Sequence, residues 1–130
     1  MAIVINRFDH VVLTVHDIEA SCDFYSRVLG MQVATFGEGR KALRFGAQKF
    51  NLHQAGREFE PKADAPTPGS ADFCLITDTP MAEVVEHLRD CGVEVFDGPS
   101  VRSGATGPIT SVYFRDPDLN LVEVSVYGDV

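Results

Sequence analysis

Two stretches of this chain repeat one order of hydrophobic and polar positions. In the first, Phe8-Asp9-His10-Val11-Val12-Leu13-Thr14-Val15 is largely apolar and predicts a strand over about residues 8–15. Asp17 then stands as an N-cap. Ile18, Cys22, Tyr25 and Leu29 recur at helical spacing, and Gly30 supplies the stop. Three short strands are expected next, at Met31–Phe36, Lys41–Phe45 and Lys49–His53, with glycine-containing turns between them.

The second stretch follows the same plan. A strand is expected over Asp72-Phe73-Cys74-Leu75-Ile76-Thr77. Asp78-Thr79-Pro80 reads as a helix start, with cap residues and proline in the first turn. Met81, Val84, Val85, Leu88 and Cys91 form the apolar stripe, Gly92 ends it, and strands follow at Val93–Phe96, Ile109–Phe114 and Leu121–Val126. Each half is therefore β-α-β-β-β. The fold class is α+β, with two repeated modules over residues 6–53 and 71–128 of one 130-residue domain. Residues 54–70, with Pro61, Pro66, Pro68 and Gly69, lack periodicity and read as a linker or crossover. A half of this size, with a one-sided sheet, buries too little surface to stand alone.

The repeat brings out four polar positions. His10 and Asp72 open the first strand of each half, separated by the same interval as Gly30 and Gly92. His53 closes Phe50-Asn51-Leu52-His53, and Glu123 closes Asn120-Leu121-Val122-Glu123, at an interval about eight residues longer. The difference is expected in a longer loop near Ser100–Gly107. Alternation puts His10, Val12 and Thr14 on one strand face, Lys49, Asn51 and His53 on another, and Leu121, Glu123 and Ser125 on a third. A single strand histidine is ordinarily a hydrogen-bonded core residue, and a single strand glutamate ordinarily faces water. Recurrence at matching points of a repeat favours a divided metal site instead, because an ionised carboxylate on a buried face needs a partner or a metal. Two imidazoles and one or two carboxylates suit Zn, Ni, Co, Mn or Fe. His16 and His87 do not share the pattern and read as surface residues.

Composition narrows the remaining choices. The formal net charge of −8 argues against nucleic acid as a partner. No apolar run reaches the roughly 20 residues of a membrane span, and the first residues do not resemble a signal peptide, so a cytoplasmic protein is expected. Cys22, Cys74 and Cys91 are odd in number, lack CxxC spacing and read as small buried apolar residues. Arg40, Lys41 and Arg102 are candidate contacts for an anionic substrate, and Ser103-Gly104-Ala105-Thr106-Gly107 is a candidate anion-binding turn.

The repeated unit, the opening DHVVLTVHDIEASCDFYSRVLGM and the closing FRDPDLNLVEV resemble the vicinal oxygen chelate superfamily. That superfamily includes glyoxalase I, bleomycin-resistance proteins, fosfomycin-resistance enzymes and extradiol dioxygenases. The stretch FGEGRKALRFGAQKFNLHQAGREFEPKADAPTPGSAD is similar to the glyoxalase domain-containing protein 5 group. The resemblance implies curved mixed sheets around a metal cleft, a divalent metal on His10, His53, Asp72 and Glu123, and a homodimer. It also implies a glyoxalase I-like lyase or isomerase acting on a small carbonyl compound or thiol adduct, such as a glutathione adduct. In that reading the metal polarises a carbonyl, stabilising an enediolate, and Glu123 moves the adjacent proton. The rivals are a fosfomycin-type thiol transferase, an extradiol-type dioxygenase and a non-catalytic, ligand-sequestering resistance protein. The chain departs from the family in the order of its inner ligands, and in Leu119 where the DPDGN-type turn has glycine.

Overall fold

The computed structural model describes residues 2–128, and the chain divides between Thr67 and Pro68 into two compact units. In the first, β1 (His10–Val15) leads to α1 (Ile18–Leu29), β2 (Gln32–Phe36), β3 (Arg40–Phe45) and β4 (Gln48–Gln54). The strand order is β1-β4-β3-β2, with β1 parallel to β4 and the other pairs antiparallel. The caps of α1 follow the sequence. Asp17 Oδ1 accepts from the N–H groups of Glu19 at 3.0 Å and Ala20 at 3.2 Å, and Gly30 takes the left-handed conformation that ends the helix. The buried face is Ser21, Cys22, Tyr25 and Val28, so Val28 takes the interior place expected of Leu29. Leu13, Val15, Leu43, Phe50 and Leu52 are buried on the same side of the sheet, with Tyr25 edge-on to Phe50 at 6.0 Å.

The second unit comprises β5 (Asp72–Ile76), α2 (Met81–Asp90), β6 (Asp97–Gly104), β7 (Gly107–Arg115) and β8 (Leu121–Tyr127). Its order, β5-β8-β7-β6, repeats the first, again with one parallel pair, β5 and β8. The α+β fold of two βαβββ modules is thus the observed one. Val122, Val124, Val126, Val112 and Phe114 are buried, as are Met81, Val84 and Leu88 of α2.

Four expectations are corrected here. Residues 93–96 are not a strand, and the segment expected as a loop near Ser100–Gly107 is mostly β6, so the added length extends the β6–β7 hairpin. The pairing shifts between Asp97 and Ser100, where Gly98 has φ +97°; a Cβ there would collide with the Ser111 carbonyl oxygen. The start of α2 also differs. Pro80 holds the cap position without a side-chain hydrogen bond, while Thr77 Oγ1 accepts from Thr79 N–H and spends the local polar groups on a turn. Of the cysteines, Cys22 is buried, but Cys91 is half-buried and Cys74 exposed. No helix among the described residues is long and apolar enough to cross a membrane.

The turn before β8 fixes the register of the second sheet. Asp116 Oδ1 accepts from the N–H groups of Asp118 and Asn120, both at 2.9 Å, and Asp116 Oδ2 accepts from Asn120 Nδ2 at 2.8 Å. Asn120 Oδ1 then accepts from Ala71 N–H at 2.9 Å, pinning the start of β5 beside the start of β8. Leu119 is held at φ +68°, the conformation glycine would supply.

Candidate functional site

In the second unit, the sheet face away from the valine core gathers the polar residues. Asp72, Cys74 and Ile76 of β5 share it with Leu121, Glu123 and Ser125 of β8. Ser111 and Tyr113 of β7 stand opposite Ser125 and Glu123. Ser111 Oγ donates to Glu123 Oε2 at 2.6 Å, lies 2.6 Å from Ser125 Oγ, and Ser125 Oγ is 3.2 Å from Cys74 Sγ. A hydroxyl relay therefore ends on one oxygen of the half-buried carboxylate. Tyr113 Oη accepts from Arg102 Nε at 3.1 Å, and Arg102 also donates to Asp97 Oδ2 at 3.2 Å. Burial pushes the Tyr113 phenol up; Arg102 opposes this and Glu123 adds to it. Burial likewise raises the Cys74 thiol, with Ser125 lowering it and Glu123 raising it further. Asp72 pairs with Leu121, so it lies two register positions from Glu123 on the neighbouring strand, roughly 8 Å between backbones.

In the first unit, His10, Val12 and Thr14 of β1 share a face with Lys49, Asn51 and His53 of β4. His10 Nδ1 lies 2.8 Å from Asp9 Oδ2; with the ring proton between them, Nε2 presents its lone pair outward. That hydrogen bond is the main cause holding the Asp9 carboxyl below its usual range. Carboxylate orientation of this kind is what metal-ligating histidines ordinarily have.

His53 is differently employed. It is 2% exposed, its Nε2 lies 3.5 Å from Arg40 Nη2, and the Phe59 ring closes on it edge-on at 5.6 Å. Burial first, then the Arg40 charge, holds its pKa below 6.5, so the ring is neutral and its lone pair faces the guanidinium. It pairs with Thr14, four positions along from His10, roughly 14 Å between backbones.

The registers correct the matching of the two halves. His10 pairs with Lys49 as Asp72 pairs with Leu121, so the counterpart of Glu123 is Asn51, and the counterpart of His53 is Ser125. Asn51 is 6% exposed, and its Oδ1 is buried without a hydrogen-bond partner. Imidazole in the first unit, at His10, and carboxylates in the second, at Asp72 and Glu123, are donor types that suit a divalent metal, whereas the His53 lone pair is taken up by Arg40. Among the described residues, no group of three or more His, Cys, Asp or Glu is placed to hold a metal ion.

The candidate substrate cations also separate. Arg40 lies between the Phe36 and Phe59 rings, at 5.0 and 4.3 Å from their centroids. Lys41 donates to Thr35 Oγ1 at 2.8 Å and alternates onto the opposite sheet face from Ala42 and Asn51. Arg102 joins the Tyr113 and Glu123 face. The proposed anion turn is closed, since Thr106 N–H donates to Tyr127 Oη at 3.2 Å. Asn51, Ser111 and Tyr113 were missed by sequence reasoning; once strands are paired, alternation alone puts each beside the candidate ligands.

The chain belongs to the Glyoxalase/Bleomycin resistance protein/Dioxygenase superfamily, whose pattern matches residues 7–124. It is 56% identical over 124 residues to virulence protein STM3117 of Salmonella typhimurium, covering 95% of this chain and 86% of that one. The crystal structure of that protein superposes with a TM-score of 0.96 over 97% of this chain and 100% of that chain. Glyoxalase domain-containing protein RDO1 of Mycosarcoma maydis is 54% identical over 125 residues, 96% of this chain and 70% of that protein. Biphenyl-2,3-diol 1,2-dioxygenase 2 of Rhodococcus globerulus is 30% identical over 127 residues, 92% of this chain and 62% of that protein. Members of the superfamily commonly bind divalent metals and small molecules.

Proposed function

We propose that this protein is a metal-dependent, glyoxalase I-like lyase or isomerase that shifts a proton beside the carbonyl of a small carbonyl compound or thiol adduct. The observation that carries the reading is the setting of Glu123. Its Oε2 is held by Ser111 at 2.6 Å, within a face that also bears Tyr113, Arg102 and Asp72. A carboxylate fixed through one oxygen is oriented before substrate arrives, which is what a general base requires.

Of the candidate ligands His10, His53, Asp72 and Glu123, the donors open to a metal would be His10 in the first unit and Asp72 and Glu123 in the second, with His53 engaged by Arg40. When bound, a divalent ion supplies Lewis-acid polarisation of a substrate carbonyl. The chain itself supplies the rest. Glu123 takes the proton from the carbon beside that carbonyl and returns it to the neighbouring carbon. Ser111 holds the carboxylate in line, Asp9 keeps the His10 lone pair outward, and Arg102 offers charge to an anionic part of the substrate. A homodimer is part of this proposal and is checked by light scattering.

The test is metal analysis of the purified protein, followed by turnover of the methylglyoxal–glutathione hemithioacetal by wild type and Glu123→Gln. Bound metal with turnover that collapses in the variant supports the reading. A metal-loaded wild type with no turnover of any hemithioacetal overturns it. The identity to a ring-diol dioxygenase supports a second reading, an oxygenase. Oxygen uptake with an aromatic diol in the Fe(II)-loaded protein would select that one.

A further inference from the structure

The first unit carries a basic hollow that the proton-transfer chemistry does not use. Ala34 and Ala42 face each other across β2 and β3, and Ala42 pairs in turn with Asn51. Two small side chains in register leave a depression, and a cavity of about 380 Å³ opens over them, walled by Phe36, Arg44 and Lys49. Arg44 and Lys49 are direct cross-strand partners, so both point to the same side, and like charges placed opposite repel unless an anion sits between them. The Lys49 Nζ lies 4.0 Å over the centroid of the Phe36 ring, whose other neighbour is the Arg40 guanidinium. Among the described residues, neither Arg44 nor Lys49 forms an ion pair with a carboxylate, whereas Arg27, Lys62 and Arg102 do. In a chain of net charge −8, two adjacent cations without a close ion-pair partner are a specific feature, although Lys49 is near enough to Asp9 to help lower its pKa.

We propose that this hollow binds the carboxylate of a small organic acid, with Arg44 and Lys49 on the anion and Phe36 and Ala34 against a short apolar body. The volume of about 380 Å³ admits a small organic molecule, and the Phe36 ring in the wall favours an acid with a hydrocarbon stem over a bare inorganic anion. The acid lining the hollow is Asp9, and it is already bonded to His10. Lys49 is the register partner of His10, so an anion seated here has its far end beside the candidate metal ligand. In that last respect only, that the acid is the substrate, the inference rests on the function proposed above. Its substrate class is then a carbonyl compound that carries a carboxylate.

The test reads binding without turnover, so its failure leaves the Glu123 chemistry standing, and failure of that chemistry leaves the binding site standing. Full-length protein is titrated with butyrate, benzoate, benzamide and inorganic phosphate, monitoring backbone amides by NMR. The acids should shift the amides of Ala34, Ala42, Gly46 and Lys49, and benzamide should bind at least about tenfold more weakly than benzoate, since a hydrogen bond to a charged group is lost. Arg44→Gln and Lys49→Gln should each weaken benzoate by about tenfold with unchanged spectral dispersion, while Arg57→Gln, which alters a cation outside the hollow, should not. Equal binding of benzoate and benzamide, equal weakening by Arg57→Gln, or shifts confined to other residues would overturn the site. Tighter binding of phosphate than of either acid at the same amides would overturn the assignment to organic acids.

Discussion

The two units share a backbone plan and spend their polar faces on different chemistry. Where the second has Glu123, the first has Asn51; where the second has Tyr113 on the adjoining strand, the first has Ala42. Even the contacts beside them correspond. Ser111 reaches Ser125 in one unit, and Arg40 reaches His53 at the matching place in the other. One face is therefore a carboxylate fitted with hydroxyl donors. The other is a set of cations around a hollow, with a single outward imidazole. Repetition of β-α-β-β-β preserves strand pairing, because a one-position slip would turn every valine of the buried face outward. It places no such demand on the opposite face, and there the halves have diverged.

The largest expected effect tests the acidic half. Glu123→Gln keeps a neutral oxygen and the Ser111 contact but cannot accept a proton, so turnover should fall about 10²–10⁴-fold with metal retained. The matching change in the other half, Asn51→Asp, should not rescue it, because Ala42 stands where Tyr113 does and no serine pair adjoins it. Measuring bound metal beside rate separates the outcomes. Loss of metal with rate would make Glu123 a ligand only, and rescue by Asn51→Asp would show the halves to be interchangeable.

The next effect concerns the two histidines. Asp9→Asn weakens the hydrogen bond that orients His10 and should lower metal affinity about 10–100-fold. His53→Gln should leave metal affinity unchanged, because its ring serves Arg40 and Phe59. A competition assay with a chelator reads both. A greater loss from His53→Gln than from Asp9→Asn would make His53 a ligand despite its contact with Arg40.

This is also where the sequence was readable and where it was not. The apolar periodicities located both helices and the β1, β4, β5, β7 and β8 strands, because burial of one face leaves its period in the chain. His10, Asp72 and Glu123 were visible as polar residues opening or closing such runs. Which residue faces which was not visible. Register depends on Asn120 reaching Ala71 in one unit, and on Ala55 N–H donating to the Val15 carbonyl in the other. Counting from the ends of apolar runs therefore matched His53 with Glu123, two positions out. The β6 strand was illegible for a related reason: Asp97-Gly98-Pro99-Ser100 has no apolar alternation and becomes a strand only through its pairing with β7.

A smaller effect separates the halves by pH. His53 is neutral when folded, with its pKa held below the 6.5 of an exposed imidazole by burial and by Arg40. As pH drops below about 6.5, the unfolded chain takes up this proton and the folded one does not, so stability falls through that window. Urea midpoints between pH 7.5 and 5 should decline less steeply in His53→Gln than in wild type. Parallel curves would mean that the buried ring does not contribute, and that the Arg40 contact is not what keeps it neutral.

The smallest effect lies in the turn before β8. Both units use glycine where turns need positive φ, as at Gly37, Gly46, Gly92 and Gly107, but the second also holds Leu119 at φ +68° with the residue 67% exposed. That conformation costs a branched or bulky residue about 1–2 kcal/mol. The four hydrogen bonds of Asp116 and Asn120 hold it there, because releasing Leu119 would also release Ala71 and the β5–β8 register. Leu119→Gly removes the steric cost but adds unfolded-state entropy of about 0.5–1 kcal/mol, so the net should be a gain of up to about 1.5 kcal/mol. Urea denaturation measures it, and turnover should not change, since the register of Glu123 is set by Asn120 rather than by residue 119. A destabilised variant would show that the Leu119 side chain contributes packing its exposure does not suggest. A turnover loss at unchanged stability would show that the turn positions Glu123 more finely than its hydrogen bonds imply.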